Sequence, residues 1–439
     1  MSTPSPAMPT ALDRVQVSHF VAEESFARHL DDLDPCSAFR SRFAVPCGNA
    51  AQPNVYFVGN SLGAMPLATR TMLMEELDDW STLGVEGHFH AKRPWYSWHE
   101  QVREPLARLV GAKPSEVVAM NSLTTNLHLM LTTFYRPEGN RTKILIEKGA
   151  FPSDIFALRS HVAARGLDPD VHVIEIAARV DEWLLDETDI EAECERLGDT
   201  LACAVLPGVQ YRTGQAFDLA RLTRAVHAVG ATCGFDLAHA AGNIDVQLTA
   251  SMCDFAVWCS YKYLNAGAGA VGGCFVAERH GRDTSLPRLA GWWGNDPTTR
   301  FQMSDRFIPV ASADAWQLSN PPILSLVPLL ASLQIFDEAT IPVLRRKSIV
   351  MTGYLEYLIR DALRGHAELL TPASASRRGC QLSLLFKDNA RARFGALTAA
   401  GIVCDYREPG IVRLAPTPLY NTFHEVWRAA QAVKSACVS

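Results

Sequence analysis

The chain has 439 residues, 48% of them apolar and 20% charged, which is enough for a large buried core and two or three domains. Its formal net charge of −6, with no block of Lys and Arg, excludes the basic surface that nucleic-acid binding requires. The longest apolar stretch, Ile323 to Phe336, is interrupted by Ser, Pro and Gln and is too short to span a bilayer, so we expect no membrane segment.

The eleven cysteines are scattered without a CxxC pair, and four of them (Cys203, Cys233, Cys259 and Cys274) lie in apolar runs. This pattern predicts buried free thiols in a reducing compartment, and therefore a cytoplasmic protein without a disulfide framework. The first twelve residues are rich in Ser, Pro and Thr, with neither a basic start nor an apolar stretch. We interpret them as a disordered tail rather than a signal peptide.

The N-terminal part, residues 1–60, is predicted to hold this tail and one helix at about Val15–Leu30. The apolar run Val55–Val58 follows and ends in Gly59-Asn60-Ser61-Leu62-Gly63. A second helix is predicted from Pro66 to Trp80, because proline is well placed in the first turn of a helix.

Residues 61–319 are predicted to form one large α/β domain, because short apolar runs alternate with runs of helical period from Lys113 to Val276. Such alternation is typical of parallel βαβ units. The predicted strands are Val117–Met120, Lys143–Glu147, Val171–Ile176, Leu201–Leu206, Thr232–Phe235, Phe255–Trp258 and Gly272–Val276. The predicted helices are Thr125–Phe134, Asp154–Ala164, Ile190–Leu197 and Leu219–Val229.

Residues 320–439 are predicted to form a smaller α+β domain. After Asn320-Pro321-Pro322 a long helical region runs to about Arg364, and Cys380–Phe386 and Gly410–Leu414 have the composition of strands. We find no internal repeat.

Two residues of the large domain indicate its chemistry. Asp236 stands at the end of one apolar run, and Lys262 follows the next run, in Ser260-Tyr261-Lys262-Tyr263. Pyridoxal phosphate needs such a pair, with a carboxylate on its pyridine nitrogen and an amine on its aldehyde. Only 8 of the 41 basic residues are lysines, so a lysine between two tyrosines is conspicuous. Its surroundings favour the neutral, nucleophilic amine. The alternative is a lysine that extends from a strand end to solvent.

Neighbouring segments offer groups for the rest of such a cofactor. Asn121-Ser122-Leu123-Thr124-Thr125-Asn126 opens a helix with small hydroxyl and amide residues, which suits a phosphate, although a simple N-cap explains it equally well. Phe151, in Gly149-Ala150-Phe151-Pro152-Ser153-Asp154, is placed to stack on a pyridine ring or else belongs to the core.

Two further sequence patterns could indicate a metal site or a dinucleotide site. Asp236 and His239 have the spacing of metal ligands, but no third ligand is evident, since His88-Phe89-His90 lies in another segment; we therefore expect no metal. Gly267-Ala268-Gly269-Ala270-Val271-Gly272 satisfies the GxGxxG pattern of dinucleotide sites, yet a strand-like run follows it where a helix is required.

Three segments together resemble those of the kynureninase family. Its members are pyridoxal-phosphate enzymes of the type I aminotransferase fold. They are Phe235-Asp236-Leu237-Ala238-His239-Ala240, the run from Trp258 to Gly269, and Ser319-Asn320-Pro321-Pro322-Ile323-Leu324. The likeness extends from Gly59 to Asn421, and it implies a mostly parallel large domain with a smaller C-terminal one.

The resemblance also implies roles for single residues. Lys262 would form the Schiff base with the cofactor, Asp236 would bind the pyridine nitrogen, and His239 would lie close by. The remaining implied cofactor contacts are Leu123, Thr124, Tyr261 and Trp292 at the phosphate, Phe151, Pro152, Ser153 and Asp154 at the ring, and Asn320 at the cofactor end. The implied substrate contacts are Arg413 at the α-carboxylate and His88, Ser319 and Asn320 at the aryl ring.

These expectations amount to a homodimeric hydrolase with its site at the subunit interface, which cleaves kynurenine or 3-hydroxykynurenine to alanine and the aryl acid. His88 with Ser319 and Asn320 resembles the set of enzymes that favour the 3-hydroxy substrate, although His88 can equally cap its own loop. Pro207 departs from the family, which has a small hydroxyl residue there. A β-eliminating enzyme such as a cysteine desulfurase, or a catalytically silent scaffold, would share the same fold.

Overall fold

The computed structural model describes residues 11–46, 48 and 53–438, so most of the predicted tail lies outside the described residues. The prediction of disorder is wrong for the end of that tail. Ala11–Arg14 form a 3₁₀ turn, and the Leu12 side chain is buried among residues of the C-terminal part.

The described residues contain strands and helices throughout. The strands are β1 Phe43–Ala44, β2 Val55–Tyr56, β3 Met65–Pro66, β4 Val117–Met120, β5 Lys143–Glu147, β6 Val173–Ile176, β7 Leu201–Pro207, β8 Thr232–Asp236, β9 Phe255–Cys259, β10 Gly272–Val276, β11 Ala367–Leu369, β12 Leu382–Phe386, β13 Ile402–Val403, β14 Asp405–Arg407 and β15 Ile411–Leu414.

The helices, in chain order, are α1 Glu24–Asp32, α2 Ala68–Leu83, α3 Gly87–His90, α4 Arg103–Val110, α5 Leu123–Phe134, α6 Pro152–Ala164, α7 Pro169–His172, α8 Glu187–Leu197, α9 Leu219–Ala228, α10 Leu248–Ser251, α11 Glu278–Gly281, α12 Ile323–Ala339, α13 Ile341–Leu363, α14 Ala390–Ala399 and α15 Phe423–Val438. Short 3₁₀ turns connect several of them.

The large sheet has seven strands in the order β4-β10-β9-β8-β7-β5-β6. β5 to β9 are parallel, whereas β10 is antiparallel to both of its neighbours. The predicted mostly parallel α/β sheet is confirmed, with each of its seven strands. The largest boundary difference is in β6, which begins at Val173 and not at Val171 because Pro169–His172 form a helical turn, for which proline is suited at the first position. β7, β8 and β9 each end one residue later than predicted.

The predicted N-terminal helices differ more from the structure. The helix expected from Val15 begins only at Glu24, because the chain turns at Phe20 to place its ring 5.4 Å from that of Tyr354. Pro66 is not in a helix either. It pairs with Phe43 across the β1–β3 ladder, and α2 starts after it.

The long helical region after Pro322 is two helices rather than one. Their axes differ by 80° at Thr340, which has a φ of 61°. In the described part of the chain no single helix is long and apolar enough to cross a membrane, and α12 and α13 reach the required length and hydropathy only as this bent pair.

The C-terminal sheet has four antiparallel strands, β11-β12-β15-β14, of which the sequence pattern predicted only β12 and β15. The N-terminal segment joins this part of the molecule. β2 pairs with β13, the Val58 backbone bridges to Ala415, and Asp34 forms a buried ion pair with Lys347. The division of the chain at residues 60 and 319 stays a prediction.

Candidate active site

A cleft opens at the carboxyl ends of β5, β7 and β8, where parallel sheets commonly bind ligands. Nine of the predicted site residues line it: Leu123, Thr124, Phe151, Ser153, Asp154, Asp236, His239, Tyr261 and Lys262. The sheet order explains most of this convergence, because β5, β7, β8 and β9 are consecutive neighbours and seven of the nine residues lie at the ends of β5, β8 and β9 or just after them. Leu123 and Thr124 follow β4 instead. The structure thus brings these nine residues together.

Lys262 lies in the loop after β9. Its Nζ is 3.1 Å from Nε2 of His239 and 5.9 Å from the ring centres of both Phe151 and Tyr261. Burial lowers the pKa of His239 well below its ordinary value, and the charge of Lys262 lowers it further. The imidazole is therefore neutral and accepts a hydrogen bond from the lysine.

Three acidic side chains lie opposite the lysine. Oδ1 of Asp236 accepts the backbone N–H of Ala238 at 2.7 Å, and its carboxyl group is hydrogen-bonded to that of Asp154. Burial, followed by the charge of Asp236, raises the pKa of Asp154 well above its ordinary value, so Asp154 keeps its proton more readily than a free carboxyl group does. Burial also raises the pKa of Glu147 to about 8, which makes this third acid neutral at pH 7.

The other end of the cleft carries hydroxyl groups. Thr124, in the first turn of α5, has its hydroxyl 2.7 Å from that of Ser153 at the start of α6. The Ser122 hydroxyl does not cap α5 and pairs with Thr125 Oγ1 instead, at 3.0 Å. The first N–H groups of α5 thus remain available to an anion.

These groups fit pyridoxal phosphate. Among the described residues, Nδ1 of His239 and Oδ1 of Asp154 are buried without a hydrogen-bond partner, and both side chains line the cleft. A ring with a protonated nitrogen would give the carboxyl pair a cationic partner, and a phosphate would accept from the hydroxyls and the start of α5. Pro207 also lines the cleft and offers it no hydroxyl group.

Arg413 lies on β15 beside the cleft and is only 1% exposed. Its Nε donates to Oδ1 of Asp405 at 2.7 Å, and Nη1 donates to the carbonyl oxygen of Tyr211 at 2.7 Å. The ring of Tyr211 lines the cleft and meets that of Phe151 edge-on at 5.5 Å. Arg413 is thereby fixed against the loop that forms one wall of the site.

Besides Arg413, five predicted residues do not line the cleft of this chain. Pro152 is the first residue of α6 and points elsewhere than its neighbours Phe151 and Ser153. The others lie on the surface: Trp292, which donates to the carbonyl oxygen of Arg300 at 3.1 Å, His88, Ser319 and Asn320. Nδ1 of His88 contacts the carbonyl oxygen of Val85 at 2.9 Å, the loop-capping arrangement considered from the sequence.

Sequence reasoning missed Glu147, Gln210, Tyr211 and Asp405. Gln210 Nε2 donates to Glu147 at 3.3 Å, and its Oε1 accepts the backbone N–H groups of Arg212 and Thr213. These contacts hold the loop that carries Tyr211. A usable signal was present for Glu147 alone, since it is an acid at the end of an apolar strand, as Asp236 is.

The glycine-rich segment forms a turn and not a dinucleotide loop. Gly267 and Gly269 have φ values of 78° and 80°, and Gly272 begins β10, as the sequence indicated. Across residues 11–46, 48 and 53–438, no three His, Cys, Asp or Glu side chains are grouped as metal ligands.

Comparison with known proteins agrees with this geometry. The family model described as "Kynureninase C-terminal domain" matches residues 344–433, and that described as "Aminotransferase class-V" matches residues 55–284. The chain is 50% identical to a kynureninase of Koribacter versatilis over 412 residues, which are 94% of this chain and 97% of the relative. It is also 50% identical to a kynureninase of Myxococcus xanthus over 415 residues, with the same coverage of both chains.

Solved structures show the same fold at much lower identity. A cysteine desulfurase from Escherichia coli superposes with a TM-score of 0.74 at 18% identity, over 91% of this chain and 98% of that one. This likeness concerns the fold alone, whereas the relatives at 50% identity identify the family. The chain belongs to the kynureninase family, pyridoxal-phosphate-dependent hydrolases of C–C bonds in ketonic substances on the type I aminotransferase fold.

Proposed function

We propose that this protein hydrolyses the Cβ–Cγ bond of L-kynurenine or 3-hydroxy-L-kynurenine. Water supplies the hydroxyl group of anthranilate or 3-hydroxyanthranilate, and the other product is L-alanine. The observation that carries the proposal is the convergence in one cleft of Lys262, the Asp154–Asp236 carboxyl pair and the arginine-bound wall at Tyr211. Such a reaction belongs to tryptophan degradation and the supply of NAD precursors.

The bound cofactor would supply an electron sink for negative charge that develops on substrate carbons. Asp236, beside Asp154, would hold positive charge at the pyridine nitrogen. Lys262 would hold the cofactor aldehyde, and its amine is placed to move the proton at the substrate Cα. Neutral His239, 3.1 Å away, accepts from the lysine and orients it.

Arg413 contacts the substrate α-carboxylate in this proposal, since a guanidinium forms charge-assisted hydrogen bonds with a carboxylate. The hydroxyls of Thr124 and Ser153 bind the phosphate, together with Leu123 at the start of α5 and Tyr261. The aryl ring of the substrate then extends away from the sheet toward the mouth of the cleft.

We further propose that the enzyme is a homodimer whose second copy completes the mouth of each cleft. His88 and Trp292 lie on one exposed aromatic surface, in which Phe89, Tyr96 and Phe301 connect them ring to ring at 5.4 to 6.5 Å. Phe89 is 58% and Phe301 57% exposed, and a partner would cover them. Ser319 and Asn320 are exposed too, so all four residues are available to a partner's cleft.

A cysteine desulfurase would need a reactive cysteine at this site. The ten cysteines within the described residues are all buried, and burial raises the pKa of those beside the large sheet, among them Cys203 and Cys253, each to about 12. Such thiols are poor nucleophiles. We also propose a cytoplasmic location, because free thiols are typical of proteins in a reducing compartment.

The direct test is incubation of the cofactor-loaded protein with L-kynurenine and with 3-hydroxy-L-kynurenine. We expect fluorescent anthranilate or 3-hydroxyanthranilate together with one equivalent of alanine. Release of ammonia or sulfide from cysteine, without any aryl acid from kynurenine, would contradict the proposal.

Substrate preference is tested by kcat/KM for the two substrates in wild type and in His88→Ala. We expect wild type to favour the 3-hydroxy substrate, and the variant to lose about tenfold of that preference, because an imidazole that binds the ring hydroxyl discriminates against its absence. His90→Ala, in the same short helix, is the control. Equal preference in wild type and His88→Ala would leave His88 as a loop cap.

A further inference from the structure

Arg413 and Asp405 by themselves do not make a cationic site. Besides Nε, its Nη2 donates to Oδ2 of Asp405, so the guanidinium and the carboxylate form a pair with two parallel bonds. The two residues are direct cross-strand partners on β15 and β14. The Arg413 charge pairs with Asp405 and holds the pKa of that acid below its ordinary value although burial opposes this.

An incoming α-carboxylate would therefore meet a neutral pair beside the cleft. A neutral ion pair stabilises a nearby carboxylate much less than an unpaired cation does, because the attraction of the cation is offset by repulsion from its anionic partner. The structure must supply further positive charge if this wall is to select carboxylates.

Arg407 supplies that charge. It stands two residues after Asp405 on β14, on the same face of the strand, and its Nη2 lies 3.3 Å from Oδ2 of Asp405. Ser61 Oγ donates to the same oxygen at 2.7 Å, so Asp405 connects Arg413, Arg407 and the segment after Val58. With two arginines and one aspartate, the cluster carries a net charge of +1.

The two arginines differ in mobility. Arg413 is 1% exposed and fixed by four contacts, whereas the Arg407 side chain is 43% exposed and lies on β14, at the edge of its sheet. Its positive charge reaches the cleft, since it lowers the pKa of His239 together with Lys262 and Arg413, after the larger effect of burial.

We propose that Arg407 is the second cation of the substrate-carboxylate site. Asp405 fixes Arg413 in position and cancels its charge, while Arg407 restores the positive charge that a carboxylate recognises. The proposal rests on the proposed function for the identity of the carboxylate. It adds a residue that determines specificity for α-amino acids over their uncharged analogues.

The test uses the cofactor-loaded protein and two small probes, L-alanine and L-alaninamide, titrated against the visible absorbance of the cofactor. The probes differ in the α-carboxylate that Arg407 is proposed to recognise. We expect Arg407→Gln to weaken alanine binding about tenfold and to leave alaninamide binding unchanged, as loss of an interaction with one charge requires. Arg407→Lys, which keeps the charge, should recover most of the alanine affinity.

The matched control is Arg391→Gln. Arg391 is 75% exposed and pairs with Glu408, the residue after Arg407, so the variant makes the same change of net charge at the same edge without touching Asp405. We expect wild-type affinity for both probes. With kynurenine as substrate, Arg407→Gln should raise KM about tenfold at a kcat within twofold of wild type.

Equal weakening of alanine and alaninamide, or no weakening of either, would overturn the assignment and leave Arg407 a structural partner of Asp405. Arg407→Met gives the same comparison if the glutamine variant does not fold. Wild-type protein that binds alanine in preference to alaninamide but releases no aryl acid from kynurenine would contradict the proposed function and not the role of Arg407.

Discussion

Lys262 and Lys347 are both lysines enclosed by protein, and they show opposite ways of holding an amine. Lys347, on α13, is 2% exposed, lies 2.7 Å from Asp34, and donates to the carbonyl oxygens of Pro418 at 2.7 Å and Asn421 at 2.9 Å. Each of its three protons has an acceptor. Lys262 has, among the described residues, one hydrogen-bond partner, the neutral imidazole of His239.

The difference separates a lysine that stabilises the fold from one that is placed to react. The carboxylate and the two carbonyls around Lys347 match the three donors of an ammonium group. Among the described residues, Lys262 instead has one imidazole partner and two aromatic rings beside it. Composition would not distinguish these two residues, whereas the number of acceptors around each one does.

The acids of the two regions differ in the same way. Asp34 has its cation at 2.7 Å, whereas the side chain of Glu147 has, within the described part of the chain, the amide of Gln210 at 3.3 Å as its hydrogen-bond partner. Asp34 is thus part of a closed ion pair that fastens the N-terminal segment to the C-terminal sheet. Glu147 is a neutral acid that borders the cleft.

The largest expected effect is that of Lys262→Ala. We expect kcat to fall by about 10⁴-fold or more, because Lys262 is the one lysine among the described residues that lines the cleft. The melting temperature of the apoprotein should stay within a few degrees of wild type, since Lys262 makes one hydrogen bond.

Borohydride reduction and peptide mapping check the assignment, with Lys148→Ala as the control. Lys148 is exposed at the end of β5, on the same edge of the sheet. A reduced label on any lysine other than Lys262 would remove Lys262 from its role.

Lys347→Met should have the reverse effect, a loss of stability with normal chemistry. Removing one partner of a buried pair leaves Asp34 uncompensated, and we expect the free energy of unfolding to fall by about 3–5 kcal/mol. Folded protein should retain wild-type kcat. Urea unfolding measures the loss, and the exposed Lys387→Met, as a control, should change stability by no more than about 0.5 kcal/mol. A stable Lys347→Met protein would show that the ion pair is dispensable.

The smallest expected effect concerns pH. The folded chain raises the pKa of Glu147 to about 8 from an ordinary value of 4.5, so between these values the folded apoprotein keeps a proton that the unfolded chain has lost. Stability then falls as pH rises through this window, by up to about 1.4 kcal/mol per pH unit. Glu147→Gln should remove this contribution and so be relatively more stable at pH 7.5 than at pH 5.5. If the free energies of unfolding of wild type and Glu147→Gln, measured in urea, changed in parallel with pH, the raised pKa of Glu147 would be contradicted.

The sequence predicted the large sheet well because its strands are buried on both faces and form continuous apolar runs. It predicted β14 not at all, since Asp405-Tyr406-Arg407 has no apolar alternation and is a strand only because β15 lies beside it. The helix boundaries near Phe20 and Pro66 were wrong for a related reason. Contacts with Tyr354 and with β1 override the local helical pattern there.

The candidate site follows the same division. Asp236, Lys262 and Thr124 were found because each stands just after a predicted strand. Tyr211 and Asp405 were missed because they meet only through Arg413, which lies 202 residues beyond the one and 8 residues beyond the other. The net charge of the cluster of Arg413, Asp405 and Arg407 depends on the pairing of β14 with β15, which the sequence pattern did not predict.

The segment from Val55 to Gly63 has a consequence for how the chain is made. Val55 and Tyr56 pair with Ile402 and Val403, and the Gly63 amide donates to the carbonyl oxygen of Tyr261, beside Lys262. On the ribosome these early residues emerge long before their partners. At about 5–20 residues per second, β2 waits roughly 20–70 s for β13. The segment that supports the Lys262 loop is thus fixed at its other end only when synthesis is nearly complete, and we expect an unfinished chain to be inactive.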